Sequence, residues 1–153
     1  MSLIKNEDGS YTVNATKLDV KNEINQIWES LPVKAILDDA DSSFRTKLKD
    51  GVLYSSWGIP VPPKGLTTSE RFEFYNETDV NNICAVISNC IVNEDNEVVL
   101  TFKPEGAKGY ILEKFIEIGN LPKFSMRAIG NVSYDKEDTQ IVSVKEIISF
   151  DVI

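Results

Sequence analysis

The sequence of 153 residues contains no histidine. That removes the one side chain whose ordinary pKa lies near neutrality. With it go serine–histidine and cysteine–histidine catalysis and the zinc sites built on histidine spacings. Cysteine is scarce, with only Cys84 and Cys90. If both lie in one strand, their even spacing points them to the same face with Cα atoms about 20 Å apart. A disulfide spans at most about 7 Å, so both are expected to be free, buried thiols in a reducing compartment. No run approaches the roughly 18 apolar residues of a membrane span. The first residues also lack the charged-then-apolar build of a signal peptide, so cytosolic synthesis and no membrane partner are expected. Basic residues are few, 16 against 24 acidic ones, for a net charge of −8. Phosphate-backbone binding needs clustered cations, so nucleic acid is not an expected partner. There is no phosphate-binding loop and no CxxC pair. Asp38-Asp39-Ala40-Asp41 lacks the mid-loop glycine and late glutamate of a calcium loop. Neither a cofactor nor a metal site is expected.

The apolar share, 42% with seven Phe, five Tyr and two Trp, is enough to build a packed core. The length fits one domain, residues 1–153. The expected class is α+β, with an antiparallel, barrel-like sheet core and a few packed helices. Residues 1–50 read as a helical part. It opens with a turn at Asn6–Ser10 and a short hairpin or edge strand at Tyr11-Thr12-Val13. Thr16 and Asp19 resemble a capping box, and Val20, Ile24, Ile27, Trp28 and Leu31 form an apolar stripe at helical spacing. The bland reading of the stripe is core packing and the sharper one a docking helix, with Pro32 as its stop. A second helical stretch runs from Phe44 to Leu48 and stops at Asp50-Gly51.

Residues 51–68 form a connector stiffened by Pro60, Pro62 and Pro63. Trp57 lies on it, either tucked into the core or offered as a contact. Residues 69–153 read as sheet plus helix. Glu70–Tyr75 alternates charged with aromatic residues, as a half-buried strand does. Ile83–Val92 and Glu97–Phe102 are strands joined by Asn93–Asn96. The helix Tyr110–Ile118 carries too many apolar residues for one narrow stripe and is expected to be largely buried. Arg127–Tyr134 and Gln140–Ile153 pair across Asp135–Asp138.

The order strand, strand, glycine-opened helix, strand, strand comes with four quotable segments. They are Pro104-Glu105-Gly106, the helix reaching Gly119, Phe124-Ser125-Met126-Arg127, and Phe150-Asp151-Val152-Ile153. Together they resemble the capsid-maturation (prohead) proteases of tailed phages, whose fold is shared with the herpesvirus assemblins. The resemblance implies that Ser125 stands at the nucleophile position. It places the family's two histidines at Ile59, in Ser56-Trp57-Gly58-Ile59-Pro60, and at Cys84 or Ala85. Neither an isoleucine nor a thiol can replace an imidazole base.

The expected function is therefore that of a catalytically silent phage virion or capsid-assembly protein. It would work in the host cytoplasm or the virion by binding capsid, scaffold or other virion proteins. Candidate binding residues are Arg127, Lys123, Trp57, Ile59 and Pro60. Arg127 shares a strand face with Ser125 and would give a peptide cleft one positive charge, suited to strand addition. The apolar end Phe150–Ile153, on an open sheet edge, points to a homo-oligomer or a larger assembly. Two alternatives stand beside this reading. One is an active serine peptidase with Lys123 as base, two residues from Ser125 on the same face. The other is a small acidic phage protein that binds a host factor.

Overall fold

The computed structural model describes residues 3–153. Among these, the strands form two sheets. The first has the order β1-β2-β6-β5-β4 and is antiparallel throughout. Its strands are β1 (Leu3–Lys5), β2 (Tyr11–Lys17), β4 (Tyr54–Ser56), β5 (Ile83–Val92) and β6 (Glu97–Pro104). The second sheet sets β8 (Gln140–Val152) between β7 (Phe124–Tyr134) and β3 (Gln26–Trp28). There β7 runs antiparallel to β8 and β3 parallel to it. This is an α+β arrangement whose sheets share one core but do not close into a barrel.

Alternation explains the first sheet. Tyr11, Val13 and Ala15 of β2 and Val98, Leu100 and Phe102 of β6 point inward, with more exposed residues between them. The second sheet meets this face through Phe124, whose ring lies 5.0 Å from that of Phe102. A bulge at Ile87–Asn89 changes the parity of β5. Cys90, opposite Leu100, therefore shares the face of Ile87 and Ala85, while Cys84 faces the other way. Both thiols are free and buried, as expected, but the bulge places them on opposite faces rather than one. Burial pushes each thiol up to about 12.

Two local assignments are overturned. There is no helix from Thr16 to Leu31. The chain stays in β2 to Lys17, turns, and forms β3 before α1 (Ser30–Asp38) begins. Asp19 and Asn25 hold φ of 63° and 61°, and the Asn22 side chain accepts the Ile24 and Gln26 amides. Such local bonds compete with helix formation. Of the supposed stripe, Val20, Ile24 and Leu31 are exposed. Pro32 does not stop a helix but sits in the first turn of α1, where its missing N–H does no harm. The Asp19 carboxylate receives the Ser30 amide at 2.8 Å and the Ser30 hydroxyl at 2.6 Å, capping α1 from outside it.

Glu70–Tyr75 is likewise not a strand but part of α3 (Thr68–Asn76), started by a capping box between Thr67 and Glu70. α2 (Ser43–Asp50) ends as the sequence indicates, on Gly51 in the left-handed region. α4 (Gly109–Glu117) is where it was expected but is not largely buried. Leu112 is its one fully buried apolar side chain, while Tyr110 and Ile118 lie open. Gly106, which precedes α4, has φ of 85°, and a Cβ there would lie 2.6 Å from Ile83 Cγ2.

Candidate functional site

The start of β7 lies in register with the end of β8, so that Ser125 stands opposite Asp151 and Arg127 opposite Ser149. Period-two alternation puts these four side chains on one face and Phe124, Met126, Phe150 and Val152 on the other. Ser125 is half-buried at the strand mouth, whereas Asp151 is fully buried and Arg127 nearly so.

Asp151 is the hub. Arg127 Nη2 donates to its Oδ1 at 3.2 Å. Nε lies 3.0 Å from Oδ2 as an ion-pair contact, without the alignment of a hydrogen bond. The Ser56 amide donates to Oδ1 at 3.0 Å. Arg127 Nη1 donates to the Tyr75 carbonyl at 2.9 Å, tying α3 to the site. Desolvation raises the Asp151 carboxyl above its ordinary value, against the pull of Arg127 and the Ser56 amide. The positive charge expected for a peptide cleft is thus spent inside the protein. Arg127 shares the face of Ser125 but is closed by Asp151.

The segment Ser56–Pro60 is laid against the same strand end. Trp57 bridges Val152 in parallel register, and the Gly58 amide donates to the Val152 carbonyl at 2.6 Å. Trp57 is half-buried, with its ring edge-on to Phe115 at 5.9 Å. Ile59 is exposed and Pro60 half-buried. Cys84 donates to the Ser55 carbonyl at 3.5 Å and feels the Asp151 charge as a secondary cause of its raised pKa. Asp151 therefore stands opposite Ser125 in register, accepts the Ser56 amide from the turn that carries Ile59, and acts on Cys84, one of the two positions (Cys84 or Ala85) that the resemblance offered.

Lys123 is exposed just before β7, where its carbonyl accepts the Ile153 amide at 2.9 Å. With Ser125 it lines an open groove of about 510 Å³, walled by the β2–β3 connection and by Ile153. Trp57, Ile59, Pro60 and Arg127 do not line it. Sequence reasoning missed Asp151 as the centre of the site. The available signal was a lone acid between apolar residues in Phe150-Asp151-Val152, which marks a buried carboxylate in need of a partner.

Three comparisons bear on this arrangement. The family model of the Peptidase S80 family matches residues 2–153. The bacteriophage T4 capsid assembly protease, gp21, is similar in structure, with a TM-score of 0.74 at 15% identity. That match covers 99% of this chain and 90% of the T4 chain. No curated protein matches by sequence. With the family model spanning the described residues and the strand, helix and Ser-x-Arg order in place, the chain belongs to the Peptidase S80 family of phage prohead proteases.

Proposed function

We propose that this member of the family is a catalytically silent capsid-assembly or virion protein that holds partner proteins without cutting them. The observation that carries the reading is the surroundings of Ser125. No imidazole exists in the chain, and the carboxylate opposite Ser125 is bound by Arg127 and the Ser56 amide. The thiol that feels the Asp151 charge, Cys84, is pushed up to about 12. A serine needs a base in reach to become a nucleophile, and none of these groups is free to act as one. Ser125, Lys123 and the groove they share would then serve for docking, with Trp57, Ile59 and Pro60 as a second, stiff surface. The name of the T4 relative, a capsid assembly protease, points to capsid, scaffold or other virion proteins as partners, met in the host cytoplasm or the particle. A host factor bound by the acidic surface is the remaining alternative.

One observation favours a second reading, a serine peptidase with Lys123 as base, because Lys123 and Ser125 line the same groove. Against it, Lys123 is exposed, whereas a lysine base has to be desolvated to shed its proton. The experiment is labelling of the purified protein with a serine-directed fluorophosphonate, alongside incubation with casein and co-expressed capsid proteins. The expected outcome is no label and no cleavage. Label that vanishes in Ser125→Ala would establish the peptidase instead.

A further inference from the structure

α3 is an unusual helix for a folded protein. None of its residues is buried, and Phe72 is 46% exposed. Among the described residues, the only hydrogen bond it receives from another part of the fold is that of Arg127 on the Tyr75 carbonyl. A helix of nine residues is marginal in water unless an apolar face is covered. Its charge is also one-sided. Between Thr67 and Asp79 lie Glu70, Glu73, Glu77 and Asp79, against Arg71 alone. Glu70 and Glu73 follow one another at helical spacing, Glu77 caps the end, and Glu73 and Phe72 are both exposed.

The groove beside Ser125 has the opposite character. Val20, Ile24 and Ile153 are exposed and give its walls an apolar surface. Lys17, Lys21 and Lys123 line it too, with Glu23 the one acidic side chain among the lining residues. The Lys21 contact with Glu137, 3.8 Å between two exposed side chains, removes little of that charge. In a chain of net charge −8, this is a local surplus of cations around exposed apolar surface. Its volume of about 510 Å³ is within the usual range of concave binding sites.

We infer that α3 of one copy docks into the lysine-rimmed groove of a second copy, with Phe72 on its exposed apolar residues and Glu73 against the lysines. The two surfaces differ, so the contact is head-to-tail and each copy can give and receive it, forming a ring or a chain. The inference names the partner of the groove and so rests on reading the groove as a docking site. Its test is separate from the labelling of Ser125, which can succeed or fail without moving the result below.

The test is sedimentation velocity of the whole protein at low salt over a micromolar concentration series, with Glu73→Lys and Lys123→Glu as variants. Circular dichroism checks that each variant is folded, and both changes are on exposed side chains. The wild type should sediment faster as concentration rises. Each variant alone should associate about tenfold more weakly or worse, because like charges then face each other. Mixing the two variants should restore association, since the lysine on α3 of one then meets the glutamate in the groove of the other. A wild type that stays monomeric would overturn the inference. So would association indifferent to both variants, or a mixture that fails to recover.

Discussion

At Asp151, burial and pairing pull in opposite directions. Desolvation raises its carboxyl above the ordinary 3.8, while Arg127 and the Ser56 amide oppose the rise. Just above 3.8 the unfolded chain has released this proton and the folded chain still holds it. The folded state then binds more protons, so this residue's contribution to stability falls as pH climbs through that interval. Arg127→Met removes the charge that restrains the shift, and the fall should extend to higher pH. At neutral pH the variant leaves a buried carboxylate without its cation, a loss of about 3–5 kcal/mol. In acid the carboxyl is protonated and the deficit should shrink. Adding Asp151→Asn to Arg127→Met should recover part of the loss, because no buried charge then remains. Urea unfolding of all three chains from acid to neutral pH checks this. A deficit that stays flat with pH would show that the pair is not held together by this balance.

Among the elements, α4 shows how a helix can be read correctly in place and wrongly in depth. Leu112 is its one fully buried apolar side chain, with Phe115 and Ile116 half-buried and Tyr110 and Ile118 at 70% and 75% exposure. Leu112→Ala should therefore cost about 2–5 kcal/mol, while Ile118→Ala should stay within about 0.5 kcal/mol. Denaturant melts that gave the two variants similar losses would place α4 differently. The hairpins β5–β6 and β7–β8 were legible because each is a long alternating run bounded by polar turns. α3 was not, since six residues alternating charged and aromatic fit a strand as well as a helix, and the Thr67–Glu70 cap decided between them. The region 16–31 failed for a similar reason, because positive φ at Asp19 and Asn25 outweighed a helical spacing of apolar residues. At the site, the shared face of Ser125 and Arg127 followed from their spacing. The partner of Arg127 did not, because Asp151 lies 24 residues away and reaches it only through the β7–β8 register. The opposite faces of Cys84 and Cys90 depend on a bulge that no periodicity announces.

For the molecule as a whole, the question is what closes the two sheets on each other, and the C-terminal residues supply much of the answer. The sequence suggested an apolar tail on an open edge. Instead β8 is the central strand of its sheet, with Phe150, Asp151 and Val152 buried and Ile153 alone exposed. Phe150 packs edge-on against Phe44 of α2 at 6.2 Å. Asp151 holds β4 through the Ser56 amide and β7 through Arg127. Val152 takes the Gly58 amide, so the connector leaving the first sheet is fixed to the second. Truncating a buried Phe to Ala costs about 3–5 kcal/mol by itself, and losing one partner of a buried ion pair costs a similar amount. Domains of this size hold only about 5–15 kcal/mol in total. Deleting residues 150–153 should accordingly leave a chain without cooperative unfolding at room temperature. Near-ultraviolet circular dichroism and a urea melt would read this directly. A truncated protein that melted sharply, close to the midpoint of the full chain, would show that the sheets are closed by something other than the end of β8.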